Sequence, residues 1–249
     1  MIPIKTPQEI ELMTNSGRLV AQCFGEIEKV IKPGIKTRDI DRLVSEFIGD
    51  HRAVAAFKGY NGYPASICVS INEQVVHGIP GEREIRESDL VSIDIGVLKD
   101  DYHGDAARSY LMPPEDVEKR KLVDITEKAL REGISAARLD NHLSDISFAI
   151  QNFVESYGYS VVRDLVGHGI GRKMHEEPQI PNFGKPGNGP ILKEGMTLAI
   201  EPMVNIGTWR VETLDDKWTV VTKDRKLSAH FENTIVITKD GPIILTIDK

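Results

Sequence analysis

The stretch VSIDIGVLKDDYHGDAARSY, residues 91–110, carries two acids where a hairpin buries its side chains: Asp94 inside the apolar run of the first strand and Asp105 opening the second. A two-residue loop at Lys99-Asp100 sets Asp94 directly opposite Asp105. Directly opposed residues share a face with Cβ atoms about 4.5–5.5 Å apart, where like charges repel. Two buried carboxylates that close must share a proton or a cation. Further acids lie in similar surroundings. Glu201 in LAIEPMV precedes Pro202, which has no place in a central strand and so implies a bulge or edge that aims the carboxylate inward. Glu232 leads into the apolar run of AHFENTIVI, and His168 in RDLVGHGIGRKMHEEP stands between Gly167 and Gly169, glycines that let other groups come close to the imidazole.

Two Asp, two Glu and one His form an oxygen-rich ligand set. One cation cannot use all five, whereas two divalent ions about 3.5–4 Å apart, with two carboxylates bridging, can. Such ligation points to Mn(II), Fe(II) or Co(II), with Zn(II) also admissible, and away from a thiolate-type structural zinc. Taken singly, each residue has a plainer reading. A strand acid usually faces solvent or pairs with a base, and Arg108 is near enough to serve Asp105; a lone histidine is more often a satisfied core residue than a ligand. Their combination in repeated contexts favours metal. Other chemistries fail on spacing: there is no G-x-S-x-G, HEEPQ is not H-E-x-x-H, and GHGIGR misses G-x-G-x-x-G because Arg172 takes the last glycine position.

The elements that must hold these residues are written twice. Thr6, Pro7 and Glu9 form a capping signature, after which Ile10, Met13, Gly17, Val20, Phe24 and Ile27 recur on one helical face until Pro33-Gly34. A second amphipathic helix runs through Ile40, Leu43, Val44, Phe47 and Ile48, followed by strand signals in ASICVSI and the acidic hairpin. From Pro114 the order returns, with Leu122, Ile125 and Leu130 on one helix and Ile146, Ile150, Phe153 and Val154 on the next. LAIEPMV overlays VSIDIGV, and HFENT overlays HGDAA, so that Asp94 answers Glu201 and Asp105 answers Glu232. The expectation is one α+β catalytic domain over residues 1–249, built from pseudo-symmetric helix-helix-hairpin halves of about 1–112 and 113–249. The helices cover one face of a curved antiparallel sheet, and the acids face a central cleft.

Composition agrees with a soluble globular chain: 40% hydrophobic and 28% charged residues, with no biased tract. A net charge of -7 opposes binding to nucleic acid or anionic lipid. No apolar run approaches the roughly 20 residues of a membrane helix, and MIPIKTPQEI lacks the segments of a signal peptide. A cytoplasmic location follows as an expectation, with Cys23 and Cys68 as buried free thiols and the monomer as the default state.

With these residues in hand, the chain resembles the type I methionine aminopeptidases of the pita-bread metallopeptidase fold. The motifs are GYNGYPASICVSINEQVVHGIP, the IDIG to HGDAARSY hairpin, GHGIGRKMHEEP, AIEP and LSAHFENTIV. The resemblance implies that Asp94 binds one metal, His168 and Glu201 the other, and that Asp105 and Glu232 bridge them. It implies removal of an N-terminal methionine before a small second residue, by hydroxide activated between two metals, with Glu201 shuttling the proton. His77 and His175 would contact substrate and stabilise the tetrahedral intermediate. Tyr60, Tyr63, Cys68 and Trp218 match pocket positions, while Phe57 stands where a cysteine often sits and Met174 where an aromatic is common. Asn72 and Ser228 match positions that help bind a monovalent cation in some members. Nascent polypeptide N-termini are the implied partners, with the ribosome a further one. The chain shows neither an extension before Thr6 nor a helical insertion in its second half, which fits a compact bacterial-type enzyme. The rivals are an Xaa-Pro peptidase of the same fold, which usually carries a sizeable N-terminal domain, and a non-catalytic pita-bread protein, which loses ligands; all five are present here.

Overall fold

A computed structural model describes residues 2–248. Thr6 caps the first helix (α1, Pro7–Glu28): its hydroxyl accepts from Glu9 N and the Glu9 carboxylate accepts from Thr6 N at 2.9 Å. Met13, Gly17, Val20, Phe24 and Ile27 form its buried face, as the spacing requires. The helix ends at the Lys29 cap, ahead of Pro33-Gly34. After α2 (Thr37–Asp50) come β1 (Val54–Ala55), β2 (Cys68–Ile71), β3 (Gln74–Val76), β4 (Leu90–Lys99) and β5 (Tyr102–Leu111). The second half repeats the order with α3 (Val117–Ala136) and α4 (Leu143–Ser156), then β6 (Ser160–Val161), β7 (Val166–Gly169), β8 (Glu176–Pro181), β9 (Thr197–Ile200) and β10 (Met203–Asn205). It closes with β11 (Val211–Thr213), β12 (Val220–Thr222), β13 (Ser228–His230), β14 (Asn233–Thr238) and β15 (Gly241–Ile244).

The pairing shows what repeats. In the first half β4 lies between β5 and β2 and also pairs with β1, all antiparallel. In the second, β9 and β10 together take the place of β4: β7 pairs with β9 as β2 does with β4, and β6 with β10 as β1 does with β4. Strands β13 and β14 likewise take the place of β5. The sheets are apolar on the helix side. Val20, Phe24 and Ile27 pack with Ile93, Ile95 and Val97 in one cluster, and Leu122, Ile125, Ile146 and Ile150 with Leu198, Ile200 and Ile235 in the other. Each half thus has its own large apolar cluster, and the acids of the site belong to neither.

The acidic hairpin departs from the expected register. Its loop is Asp100-Asp101, both with positive φ (50° and 66°), as a type I′ turn requires. Lys99 therefore pairs with Tyr102, Asp94 with Ala107 and Asp105 with Gly96. Asp94 and Asp105 are diagonal neighbours rather than direct opposites. They keep a common face because the slip is two positions, one full period of the strand.

The halves join through β5. Glu232 N donates to Ala107 O at 3.1 Å and Ala107 N to Glu232 O at 3.4 Å. Two residues away, the Thr234 hydroxyl accepts from Asp105 N at 3.0 Å and donates to Asp105 O at 2.8 Å. On the other side the Ser109 hydroxyl donates to His230 O at 2.8 Å and accepts from His230 N at 3.1 Å. The reciprocal pairing sets Ala107 of β5 against Glu232 across the seam between the halves.

Helix α1 crosses β5 at glycines. A Cβ on Gly104 would lie 2.7 Å from Gly17 N, and one on Gly17 would lie 2.7 Å from the Leu245 carbonyl carbon. Gly17→Ala is expected to lower stability by about 1–3 kcal/mol through overpacking. A denaturant midpoint equal to the parent's would mean that the helix shifts freely and that this contact does not set its position.

Candidate metal centre and substrate pocket

Two interruptions in the second ladder build the acidic wall. Ile200 pairs with Asn233 before the break and Met203 with His230 after it, so the register continues and Glu201 lies across from Glu232. Pro202 has no N–H for the ladder, and the two strands part at Glu201-Pro202 and Phe231-Glu232. On β7, a register shift between His168 and Gly169 accompanies the turn of that strand's end.

Asp105, His168 and Glu232 each present a ligand atom, and these atoms lie within 4.8 Å of one another. Asp94 adjoins from β4, and Glu201 Oε1 is 3.5 Å from His168 Nε2, too long for a good hydrogen bond. The His168 Nδ1–H donates to Gly169 O at 2.9 Å, so Nε2 is left with its lone pair free. One oxygen of each of Asp94, Asp105 and Glu232 is buried without a hydrogen-bond partner. Arg108 does not serve Asp105: its guanidinium goes to Ala107 O, Glu232 O and Asn233 Oδ1. Burial pushes Asp94 up to about 7 and holds Asp105, Glu201 and Glu232 well above the carboxylate range, with mutual repulsion adding to it. It also depresses His168 to about 3, helped by His175. Orphaned oxygens, a neutral imidazole with a fixed tautomer and no paired base form a donor set that fits a divalent cation.

All the expected pocket residues line the same cavity, whose volume is about 220 Å³. That is below the roughly 300 Å³ at which drug-sized sites begin and suits a single side chain. Tyr63 and Trp218 meet edge to face at 5.1 Å, and the Tyr63 hydroxyl is held by Ile67 O and Gly78 O. Phe57 lies over Gly96, where a Cβ would come within 2.6 Å of its ring. Cys68 pairs directly with Asp94, so pocket and acids share one strand position. Burial raises both thiols, Cys23 to about 12, which suits packing rather than nucleophilic attack. Met174, 3% exposed, completes the wall.

Tyr60 and His175 stand at the mouth, joined by a 2.7 Å hydrogen bond between the phenol and Nδ1. The His175 ring lies 4.2 Å from that of His168. His77 is half-buried with a positive φ of 60°, a strained backbone of the kind kept at functional sites, and desolvation lowers it to about 4. Two residues escaped the sequence reading. Asn61, with φ 49°, lines the cavity from the turn Tyr60–Gly62. His230 is 1% exposed, and its unpartnered Nε2 lies 3.9 Å from Glu201 Oε2. The YNGY turn was a signal for the first; the spacing of two from Glu232, which places both on one strand face, was a signal for the second. Asn72 and Ser228 also meet, Ser228 N donating to Asn72 O at 2.9 Å.

A buried cluster of four acids and histidines in an α+β fold of two like halves is the ligand set of a metal centre. Residues 11–239 match the model of metallopeptidase family M24, and the chain belongs to that family, which implies a divalent metal. Within it, the sequence is 53% identical to a methionine aminopeptidase of Clostridium perfringens over the full length of both chains. It is 51% identical to methionine aminopeptidase 1 of Bacillus subtilis, covering 99% of each. The crystal structure of the Thermotoga maritima methionine aminopeptidase superposes with a TM-score of 0.97 at 48% identity, over 99% of this chain and 100% of that one. A prolidase from Pyrococcus horikoshii shares the fold, with a TM-score of 0.80 at 22% identity, and this chain covers 64% of it. The resemblance read from the motifs and the pita-bread architecture are both borne out. No helix among the described residues is long and apolar enough to cross a membrane.

The displaced pKa values give the metal-free protein a defined pH response. Acids raised by folding retain protons that the unfolded chain has lost, so their contribution to stability falls as pH rises toward the folded values. The depressed histidines act oppositely, their contribution growing from about pH 3 or 4 to their ordinary 6.5 and then levelling. Above pH 6.5 the histidine contribution is level and the raised acids set the sign of the slope. Chelator-treated protein should therefore lose stability as pH rises from 6.5 through about 7, the folded value of Asp94, and saturating Mn(II) should abolish that loss. Denaturation midpoints that rise with pH in the metal-free protein would contradict it.

Proposed function

We propose that the protein is a methionine aminopeptidase acting on nascent polypeptide N-termini whose second residue is small. The observation that carries this reading is a narrow sulfur- and aromatic-walled cavity that ends on the acids: the pocket holds one side chain and the ligand set lies beside it. A methionine thioether gains from aromatic contacts worth about 0.3–1.5 kcal/mol each, here offered by Tyr63, Phe57 and Trp218. Residues 1–249 then form one catalytic domain of halves 1–112 and 113–249, working as a soluble cytoplasmic monomer, with the ribosome a further partner and no direct part for nucleic acid or membrane.

In this reading Asp94 would hold one metal, His168 and Glu201 the other, and Asp105 and Glu232 would be shared between them. The metals are Mn(II), Fe(II) or Co(II), with Zn(II) admissible. Bound there, they supply a Lewis acid for the first peptide carbonyl and lower the pKa of water. Glu201 is the proton carrier to the leaving amine. With the Tyr60 hydroxyl as the donor to His175 Nδ1, the ring proton would lie on Nε2, a donor for the carbonyl oxygen as it gains charge. His77 contacts substrate as well, and Asn72 with Ser228 would host a monovalent cation.

The test is to strip the protein, restore each metal separately, and assay Met-Ala, Met-Gly, Met-Leu, Leu-Ala and Ala-Pro peptides. Methionine release only before a small residue is expected; preference for Ala-Pro would move the chain to the proline peptidases, and no release with any metal would favour a binding protein. Asp105→Asn should lose the second metal in calorimetry, and two ions bound at parental affinity would remove its bridging role. His175→Ala should lower kcat by about 10²–10³-fold, the cost of one donor to a developing oxyanion, and leave metal affinity near the parent's. Equal losses in both would make it a ligand.

A further inference from the structure

The loop between β7 and β8 carries both Met174 and His175, yet it belongs to no ladder and β8 is the edge strand of its sheet. Its position comes instead from the far end of the chain. Lys5 Nζ meets Glu176 Oε2 at 2.5 Å, with the two side chains only 5% and 10% exposed. The other oxygen of Glu176 accepts from Lys173 N at 3.2 Å, so one carboxylate grips the loop and the lysine at once. Lys5 is itself fixed, its N–H donating to Gly195 O at 2.8 Å. The slot admits nothing more: a Cβ on Gly171 would lie 2.7 Å from Lys5 Nζ and 2.8 Å from Glu176 Oε1. On the inner side, His103 N and Nδ1 both donate to Gly171 O, at 2.9 and 3.0 Å.

A buried ion pair is weak evidence for stability, because desolvation offsets its Coulombic gain; fixing one geometry is its better attested use. Here the geometry fixed is that of the residue next to Glu176. We infer that Lys5 and Glu176 are positioning residues: their pair clamps the loop Gly171–His175, holding Met174 in the pocket wall and His175 against the ligand set. The clamp rests on the aminopeptidase reading only for its readout.

The test uses Mn(II)-loaded enzyme and the peptide Met-Ala-Ser. If the parent releases no methionine, the functional reading fails and the clamp is then judged by the ring contact of His175 with His168 in a crystal structure of Lys5→Met. If the parent is active, Lys5→Met should lower kcat by up to about 10²-fold, the cost of misplacing a catalytic group by about 1 Å, with a smaller change in KM. Metal affinity by calorimetry should stay at the parent's value. Because Lys5→Met strands a carboxylate, the neutral pair Lys5→Met/Glu176→Gln is the second variant: folded with a near-parental Tm and still slow. The discriminating measurement is Lys5→Met/His175→Ala, which should be no slower than His175→Ala alone, since the clamp acts through that ring. Parental kcat in Lys5→Met, recovery in the neutral pair, or a full additional loss in the His175→Ala background would each overturn the proposal.

Discussion

The constraint to which this structure answers is four carboxylates in one enclosed cavity. Desolvating an ion costs several kcal/mol even after relaxation, and like charges this near raise one another further, as the displacement of Asp105 and Glu232 shows. A protein tolerates that only if a cation or protons complete the set. Arg108, the base nearest in sequence, is spent on backbone carbonyls of the second half and on holding the two hairpins together. Stability must come from elsewhere, and it comes from two apolar cores that lie behind the sheets and take no part in the site.

The two halves meet that constraint by different means on one framework. Strand β4 is continuous, and Asp94, a short side chain, reaches the cavity from an intact ladder. Its counterpart is cut at Glu201-Pro202, and the strand beside it at Phe231-Glu232. There the longer glutamates emerge from opened backbone, and the freed N–H and C=O of Glu232 pair with Ala107 of the other half. The break that aims the ligand is also the seam that joins the halves, so ligand position and the register between the halves are one piece of backbone.

Much of this was legible before the fold was seen, for identifiable reasons. Thr6, Glu9 and the three-four spacing of α1 act within a few residues, and local interactions are those a sequence displays. The hairpin register was not legible, because KDDY offers adjacent two-residue loops of similar chemistry; the choice fell to Asp100-Asp101 since both aspartates accept a left-handed backbone. Asp94 and Asp105 survived the error because strand faces repeat every second residue. Pocket residues on loops and turns, Tyr60, Met174 and Trp218 among them, carry no periodicity and were reached through family resemblance alone. His230 lies two residues before Glu232, the spacing that puts both on one strand face beside Glu201, and that signal went unused because the histidine was read only as part of a motif. The Lys5–Glu176 pair spans 171 residues, and no local pattern announces such a contact.

The same burial that makes the acids costly sets the proton inventory of metal capture. His168 is depressed to about 3 and enters the site neutral, already a ligand at any physiological pH. The carboxylates, by contrast, hold protons near neutrality in the absence of a cation. The protons these ligands release on metal binding therefore come from the acids and none from His168, and the affinity of the site rises with pH while those acids titrate. The division of labour follows from a single physical term: loss of water pushes an acid and a base in opposite directions, and this cavity contains both. An imidazole with a free Nε2 and acids whose ionisation burial opposes amount to a site whose negative charge is completed by a divalent ion.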